Sequence, residues 1–164
     1  MIDLYAELEE MVSNRNLMNS YKPYFLMALI VNVSTNEKKE FSLYEMACLM
    51  CAYSFCDVCK LGRRIRYLDK LYDVAVIAIE KEDLMESSTS VEVFDALFDS
   101  TNIELRRMVL SLCNYVPYRL LAYIWSHELS GKTDREKNQI IEELSQAEER
   151  CIYSNFHHYN LVSV

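Results

Sequence analysis

The sequence predicts an all-α fold, namely a single compact domain of seven or eight helices with at most a short pair of strands. Only two glycines and two prolines occur among 164 residues, which leaves little room for the frequent turns of an all-β protein. Apolar residues make up 51% of the chain and charged residues 26%, as is usual for a globular domain. Four segments also show the spacing of a helix-capping box.

The capping boxes indicate where helices begin. In each one, a serine or threonine hydroxyl can accept a hydrogen bond from a first-turn amide, and a glutamate three residues later can accept from the cap's own amide. The four are Ser42-Leu43-Tyr44-Glu45, Thr89-Ser90-Val91-Glu92, Thr101-Asn102-Ile103-Glu104 and Thr133-Asp134-Arg135-Glu136.

Apolar residues at helical spacing extend the prediction along the whole chain, with Pro117 as an expected break and Ser130-Gly131 as an expected stop. The predicted helices are Asp3 to Val12, Lys22 to Val33, Leu43 to Cys59, Asp69 to Glu82, Val91 to Phe98, Asn102 to Tyr115, Tyr118 to His127 and Asp134 to Arg150.

Three of these helices have informative apolar patterns. Lys22 to Val33 is apolar nearly all round, which predicts a helix buried at the centre of the domain. The run Val74 to Ile79 is rich in β-branched residues and also fits a buried strand, so both interpretations stand for that segment. In Asp3 to Val12 the apolar residues share one face; they are Leu4, Tyr5, Leu8, Met11 and Val12.

Charge and cysteine content restrict the class of protein. A net charge of −8 argues against a protein that coats nucleic acid. The acidic start Met1 to Glu7 lacks the order of a secretory signal, and the uncharged stretch Pro23 to Asn36 is too short to span a bilayer. Six cysteines without an export signal predict reduced thiols in a cytoplasmic protein. We expect residues 1–164 to form one helical domain, either complete or the N-terminal part of a longer protein.

Two CxxC pairs are the first candidate for chemistry, because paired cysteines often bind metals. No helix breaker occurs between Ser42 and Gly62, so all four thiols are expected on one helix. The first and last would then lie about 16 Å apart, too far to share an ion. We therefore expect small, buried, apolar cysteines on the core face, with no metal and no other cofactor. The four are Cys48, Cys51, Cys56 and Cys59.

A cluster of five basic residues is the second candidate, and we call it the basic turn. These residues could contact the phosphates of DNA. Alternatively, they could form a solvated helix end whose cations complement the exposed carbonyls. If the chain binds nucleic acid, these are the predicted contacts: Lys60, Arg63, Arg64, Arg66 and Lys70.

His157 and His158 are the third candidate, but the sequence around them does not support catalysis. A histidine that activates water or binds a metal needs partners, and no Asp or Glu follows Arg150. Glycine-rich phosphate loops, GxSxG and HExxH motifs are also absent from the sequence. We predict no catalytic residue and no metal ligand in this chain.

Two segments resemble bacterial HNH endonuclease family proteins. Ser20-Tyr21-Lys22-Pro23-Tyr24-Phe25-Leu26-Met27-Ala28-Leu29 resembles the S-Y-K-P-x-x-L-x-A-L opening of that family, and it leads to Phe41-Ser42-Leu43-Tyr44-Glu45-Met46-Ala47. Val116-Pro117-Tyr118-Arg119-Leu120-Leu121 is similar to the family's V-P-Y-R-F-L element. The resemblance implies the helical N-terminal region without the nuclease module. Phe156 to Asn160 lacks the ββα-metal spacing, so no catalytic residue carries over.

Two functions therefore follow as expectations. In the first, the chain is a non-catalytic recognition or regulatory module that positions DNA or a partner for a nuclease module. In the second, it is a free-standing protein-interaction protein, for example an inhibitor or adaptor in phage–host conflict. The negative charge and the 12 tyrosines favour a protein interface over a DNA groove. Neither function involves a membrane.

Overall fold

The computed structural model describes residues 21–36, 40–61, 70–148, 151, 153–154 and 160–163, and these are mostly helical. The all-α prediction is confirmed. The predicted helix Asp3 to Val12 lies outside the described residues. The elements are α1 (Tyr21–Asn36), β1 (Glu40–Ser42), α2 (Leu43–Leu61), α3 (Lys70–Lys81), α4 (Ser90–Asp99), α5 (Ile103–Ser111), α6 (Val116–Leu121), α7 (Asp134–Ser145), β2 (Tyr153–Ser154) and β3 (Asn160–Ser163).

Helix α2 is the centre of the domain. It packs against α1, α3, α4 and α5, and it also contacts β1. Ten of its 19 residues are buried, including Met46, Met50 and Phe55. A helix that contacts neighbours on several sides needs apolar residues on more than one face, which explains its composition.

Helix α1 is less buried than its apolar pattern predicts. Phe25, Ala28 and Leu29 lie in the core, and α1 packs against α2 and α6. Met27 and Ile30 are nevertheless 46% and 44% exposed. Among the described elements, α1 packs closely against two and α2 against five, so the prediction that α1 lies at the centre is wrong, although its core-facing residues are buried.

Helix α3 resolves the choice between helix and strand in favour of helix. The residues Lys70–Lys81 are α-helical, and the β-branched run lies inside them. Val74 and Ala78 are buried one turn apart, whereas Val76 is 43% exposed. The helical period therefore separates a core face from a surface face despite the β-branched side chains.

The predicted caps are mostly found, with one shift of a single residue. Thr89 and Thr133 form complete capping boxes, and the Ser42 hydroxyl accepts from the Glu45 amide at 3.0 Å. Before α5 the cap is Asn102 instead of Thr101, and its side chain accepts from the Leu105 amide at 3.0 Å. Asparagine is at least as good a cap as threonine, so the shift does not weaken the helix start.

Pro117 lies in the first turn of α6, so it does not separate two helices as predicted. Proline is tolerated there because a first-turn amide has no partner within the helix. Helix α5 ends at Ser111, earlier than predicted, and the chain then tightens into turns in which an amide bonds to the third preceding carbonyl. Similar turns replace the predicted helix after Leu121 and end at Gly131, whose φ is +71°.

Helix α7 ends at Ser145, five residues before the predicted end at Arg150. The Ala147 amide there bonds to the third preceding carbonyl, that of Leu144, at 3.2 Å, so the last turn tightens and the helix does not continue.

A small antiparallel sheet forms from β1 and the end of the chain, with strand order β1-β3-β2. Strand β3 pairs on both edges, with Glu40 opposite Val162 and Tyr153 opposite Ser163. The sheet has one strand more than the predicted pair, because β3 uses both of its edges.

None of the helices in the described residues combines the length and apolar character needed to cross a membrane.

Candidate protein-binding surface

The stretch between Lys81 and Arg106 concentrates negative charge. It contains seven acidic residues and no lysine or arginine. Six of them are exposed and Glu82 is half-buried. Helix α4 and the first turn of α5 lie in this stretch, so carboxylates occur on the same segments as the apolar side chains that they expose. The seven are Glu82, Asp83, Glu86, Glu92, Asp95, Asp99 and Glu104.

Helix α4 is amphipathic, yet its outer face is not purely polar. Val93 and Leu97 are buried, which fixes the side of α4 that faces the core. On the other side, Val91 is 67% exposed and Phe98 is 43% exposed. Ile103, the first residue of α5, is 66% exposed. Large apolar side chains at these exposures are a common property of protein-binding sites when they lie near one another.

Three aromatic rings form a cluster on this side. Phe94 and Phe98 stack with centroids 5.3 Å apart and an angle of 16° between their planes. The Tyr44 ring of α2 lies 6.2 Å from Phe98 at an angle of 30°. The Tyr44 hydroxyl donates a hydrogen bond to the Leu97 carbonyl, which attaches α4 to α2. These contacts hold the aromatic cluster in one arrangement.

Arg106 fixes the junction between α4 and α5. Its guanidinium lies 4.2 Å from the Tyr44 ring centroid, and Nη1 donates to the carbonyls of Phe98 and Ser100 at 3.1 and 3.0 Å. A cation at this position satisfies carbonyls at the end of α4 and complements the helix dipole. The Ser100 hydroxyl donates a hydrogen bond to the Glu82 carboxylate. The side chains of Arg106 and Glu82 therefore both hold the junction between α4 and α5.

We call this surface the acidic aromatic face. It combines exposed apolar and aromatic side chains with exposed carboxylates on α4 and the first turn of α5. It is defined by Val91, Glu92, Phe94, Asp95, Phe98, Asp99, Ile103 and Glu104.

The thiols on α2 do not form a reactive centre. Helix α2 is continuous through both CxxC pairs, as the estimated separation of the first and last thiols assumes. Cys48 and Cys51 are buried, but Cys56 is exposed and Cys59 half-buried, so the prediction that all four lie in the core is wrong for the second pair. Burial raises the pKa of Cys48 to about 12, which keeps this thiol protonated.

Cys51 and Cys113 are likewise unreactive because burial raises the pKa of both thiols. The Cys113 Sγ lies 3.9 Å from the Met50 Sδ, in the core of the domain. Within the described ranges, no group of three or more His, Cys, Asp and Glu side chains is placed to bind a metal ion. These buried sulfurs act as packing groups.

The basic turn is only partly within the described residues. Lys60 near the end of α2 and Lys70 at the start of α3 are both exposed. Arg63, Arg64 and Arg66 lie outside the described residues, as do His157 and His158. DNA binding through these five basic residues remains a prediction.

The sequence carries only part of the signal for the acidic aromatic face. The absence of Lys and Arg between Lys81 and Arg106 is visible in the sequence. The contribution of Tyr44 is not, because it lies 53 residues before the carbonyl to which it donates. Only the packing of α2 against α4 places the Tyr44 ring beside Phe98.

Comparisons with protein-family models, curated proteins and solved structures give no match for this chain.

Proposed function

We propose that this chain is a non-catalytic protein-binding domain, and that the acidic aromatic face binds a partner segment carrying lysine or arginine beside apolar side chains. The observation that carries the proposal is the combination of exposed Val91, Phe98 and Ile103 with seven acidic residues and no basic residue between Lys81 and Arg106. This agrees with the expectation of a protein-interaction protein drawn from charge and tyrosine content.

The chemistry of the face favours a cationic, amphipathic segment. Aromatic side chains at the centre of an interface supply much of the binding energy once water is excluded from them. The surrounding carboxylates attract cations, repel acidic segments and increase the association rate. The same carboxylates repel the phosphates of nucleic acid, so this face is unsuited to DNA.

The rigidity of the face also supports the proposal. The capping box at Thr89, the bond from Tyr44 to Leu97 and the contacts of Arg106 hold α4 and α5 in place. A surface that is already ordered loses less conformational entropy when it binds. The partner segment then bears most of the ordering cost.

A peptide-display selection tests the proposal directly. Random peptides selected on the wild-type chain should be enriched in Lys or Arg together with aromatic or aliphatic residues. A selected peptide should bind Phe98→Ala and Asp95→Lys at least about tenfold more weakly, which corresponds to about 1.4 kcal/mol. Matched controls are Val76→Ala on α3 and Glu143→Lys on α7, which remove an exposed apolar group and an exposed charge elsewhere.

Binding should also weaken as salt rises, because the carboxylates are solvent-exposed and are screened. Two results would contradict the proposal. One is selection of peptides without basic residues. The other is binding that Phe98→Ala and its control Val76→Ala reduce equally. Thermal melts of each variant separate lost binding from lost folding.

A second proposal keeps the nuclease-related role, in which the domain positions DNA through the basic turn. It is supported by the exposure of Lys60 and Lys70 at the ends of α2 and α3, together with the sequence resemblance. A gel-shift titration at two salt concentrations tests it with the double reversal Arg63→Glu and Arg64→Glu. Weak, salt-sensitive binding that the reversal abolishes supports DNA positioning, whereas no binding by the wild type refutes it.

A further inference from the structure

Helix α4 carries an apolar stripe with a row of carboxylates along one side of it. Val91 and Phe98 are exposed and Phe94 is half-buried. With 3.6 residues per turn, these three side chains lie within about 60° of one another around the helix. Asp95 and Asp99, both exposed, follow within about another 80°, on the side away from the core. The negative charge on α4 therefore borders the stripe on one side.

The opposite side of the stripe is bounded by helix α2 and by a cation. The Tyr44 ring lies 6.2 Å from the Phe98 ring, and the Arg106 guanidinium lies 4.2 Å from the centroid of Tyr44. Arg106 also donates to the carbonyls of Phe98 and Ser100, which fix its position. Across its width, the surface therefore passes from a cation, over aromatic and apolar side chains, to carboxylates.

The backbone of this surface is already hydrogen-bonded. The residues that define it lie in α4 and the first turn of α5, where amides and carbonyls bond within the helix. At the end of α4, Tyr44 donates to the Leu97 carbonyl and Arg106 to the Phe98 carbonyl. A peptide that binds as a strand relies on main-chain hydrogen bonds to a sheet edge. A partner on this surface has to satisfy its own backbone, as a helix does.

On the basis of the proposed protein-binding function, we propose that the partner segment binds along α4 as an amphipathic α-helix. Its apolar side chains pack on the stripe, and its lysines or arginines lie along one side only, opposite Asp95 and Asp99. The stripe from Val91 to Phe98 is about 10 Å long at 1.5 Å per residue, so a helix of two to three turns covers it. Side chains at positions i, i+3 or i+4, and i+7 of that helix form the matching ridge.

The uneven charge decides which side of the partner helix is basic. Asp95 and Asp99 attract cations, whereas Arg106 repels them on the other side of the stripe. Because both carboxylates are exposed, pairing with them sets the position of the helix more than its affinity. A helix this short is marginal in water, so the segment folds as it binds. Apolar contacts with Phe94 and Phe98 offset the cost of ordering it.

Two peptide libraries, each of peptides about four helical turns long, test the helix on the full chain. One has an alanine-rich scaffold, which favours a helix, and the other has a central proline, which disfavours it. Binders should come from the first library, with apolar residues at helical spacing and basic residues on one side. Proline at a central solvent-facing position of a selected peptide should weaken binding at least about thirtyfold, and alanine there by less than about threefold. The Cα chemical shifts of the labelled peptide should become helical on binding.

A charge swap tests the position of the helix. Asp95→Lys weakens binding, and reversing one basic residue of the peptide to glutamate should restore at least about fivefold of the loss. The same reversed peptide should gain nothing on Glu143→Lys, the matched control on α7.

Two results overturn the helix. One is a set of binders that lack the helical spacing or tolerate the central proline, and the other is a charge swap in which no reversal restores binding. If such binders still lose more affinity on Phe98→Ala than on Val76→Ala, the proposed protein-binding function stands without the helix. If neither library yields binders that Phe98→Ala weakens, both proposals fail.

Discussion

Tyr153 connects the end of the chain to two helices, and removing its hydroxyl group should measure that connection. The residue is fully buried, and its hydroxyl donates to the Pro117 carbonyl of α6. Its ring meets Phe25 of α1 edge-on, with centroids 5.8 Å apart at 65°. Burial raises the pKa of Tyr153, so the hydroxyl stays a donor at neutral pH. Tyr153→Phe keeps the ring and deletes only the donor.

The expected loss follows from the burial of both partners. A buried carbonyl that loses its donor costs roughly 1–2 kcal/mol in the free energy of unfolding. For a chain of this size, each kcal/mol lowers the melting temperature by roughly 2–4 °C. Tyr153→Ala also removes the ring and leaves a cavity against Phe25, so its total loss should be roughly 3–5 kcal/mol.

Urea unfolding, followed by the fluorescence of Trp125, provides the measurement. Trp125 is the only tryptophan in the chain and is buried, so its signal reports on the core. The control is Tyr115→Phe, whose ring is exposed; it should change the free energy by less than about 0.5 kcal/mol. A loss in Tyr153→Phe no larger than in this control would refute the role of the hydroxyl, and a loss in Tyr153→Ala no larger than in Tyr153→Phe would refute the role of the ring.

Three further predictions concern a helix cap, thiol reactivity and alkaline pH. Thr133→Ala removes the capping box of α7 and should cost about 1 kcal/mol in the same titration, while Thr133→Ser should retain most of it. A thiol reagent should modify exposed Cys56 first, and buried Cys51 and Cys113 only as the protein unfolds, as peptide mass spectrometry would show; equal rates would contradict the burial. Because burial raises the folded pKa of Cys51 and Cys113 above 9.0, the unfolded chain loses these protons first. Their stabilising contribution is therefore complete below pH 9.0 and lost as pH rises above it, by up to about 1.4 kcal/mol per thiol and pH unit; melts that stay constant through this range would refute it.

The helix starts were predictable because capping is a local interaction. A capping box needs only a hydroxyl and a carboxylate three residues apart, and the boxes at Thr89 and Thr133 form as the sequence predicts. The cap at Asn102 shows the limit of this reasoning. When two neighbouring residues are both good caps, the sequence alone does not decide between them.

Burial was less predictable, because apolar composition does not show which faces have neighbours. Helix α1 is as apolar as a central helix, yet Met27 and Ile30 remain exposed. Strand formation by the C-terminal residues also depends on which elements lie beside them. Strand β3 forms because β1, more than a hundred residues earlier in the chain, and β2 pair with its two edges.

The acidic aromatic face likewise depends partly on local sequence and partly on tertiary packing. The concentration of acidic residues between Lys81 and Arg106 is a property of the sequence, and so is the amphipathic pattern of α4. The aromatic cluster depends on Tyr44 and Arg106, which α2 and α5 bring to α4 from distant positions. The resemblance to HNH endonuclease family proteins, and the DNA contacts that it implies, stay predictions.

The sequence by itself therefore determined the helical class and most helix starts, because periodicity and capping act over a few residues. Tertiary structure alone decided that α2 and not α1 is central, that Pro117 lies inside the first turn of a helix, and that rings from α2 and α4 meet at the surface. Each of these depends on which elements pack together. That choice is a property of the whole chain, since a side chain is buried only where another element covers it.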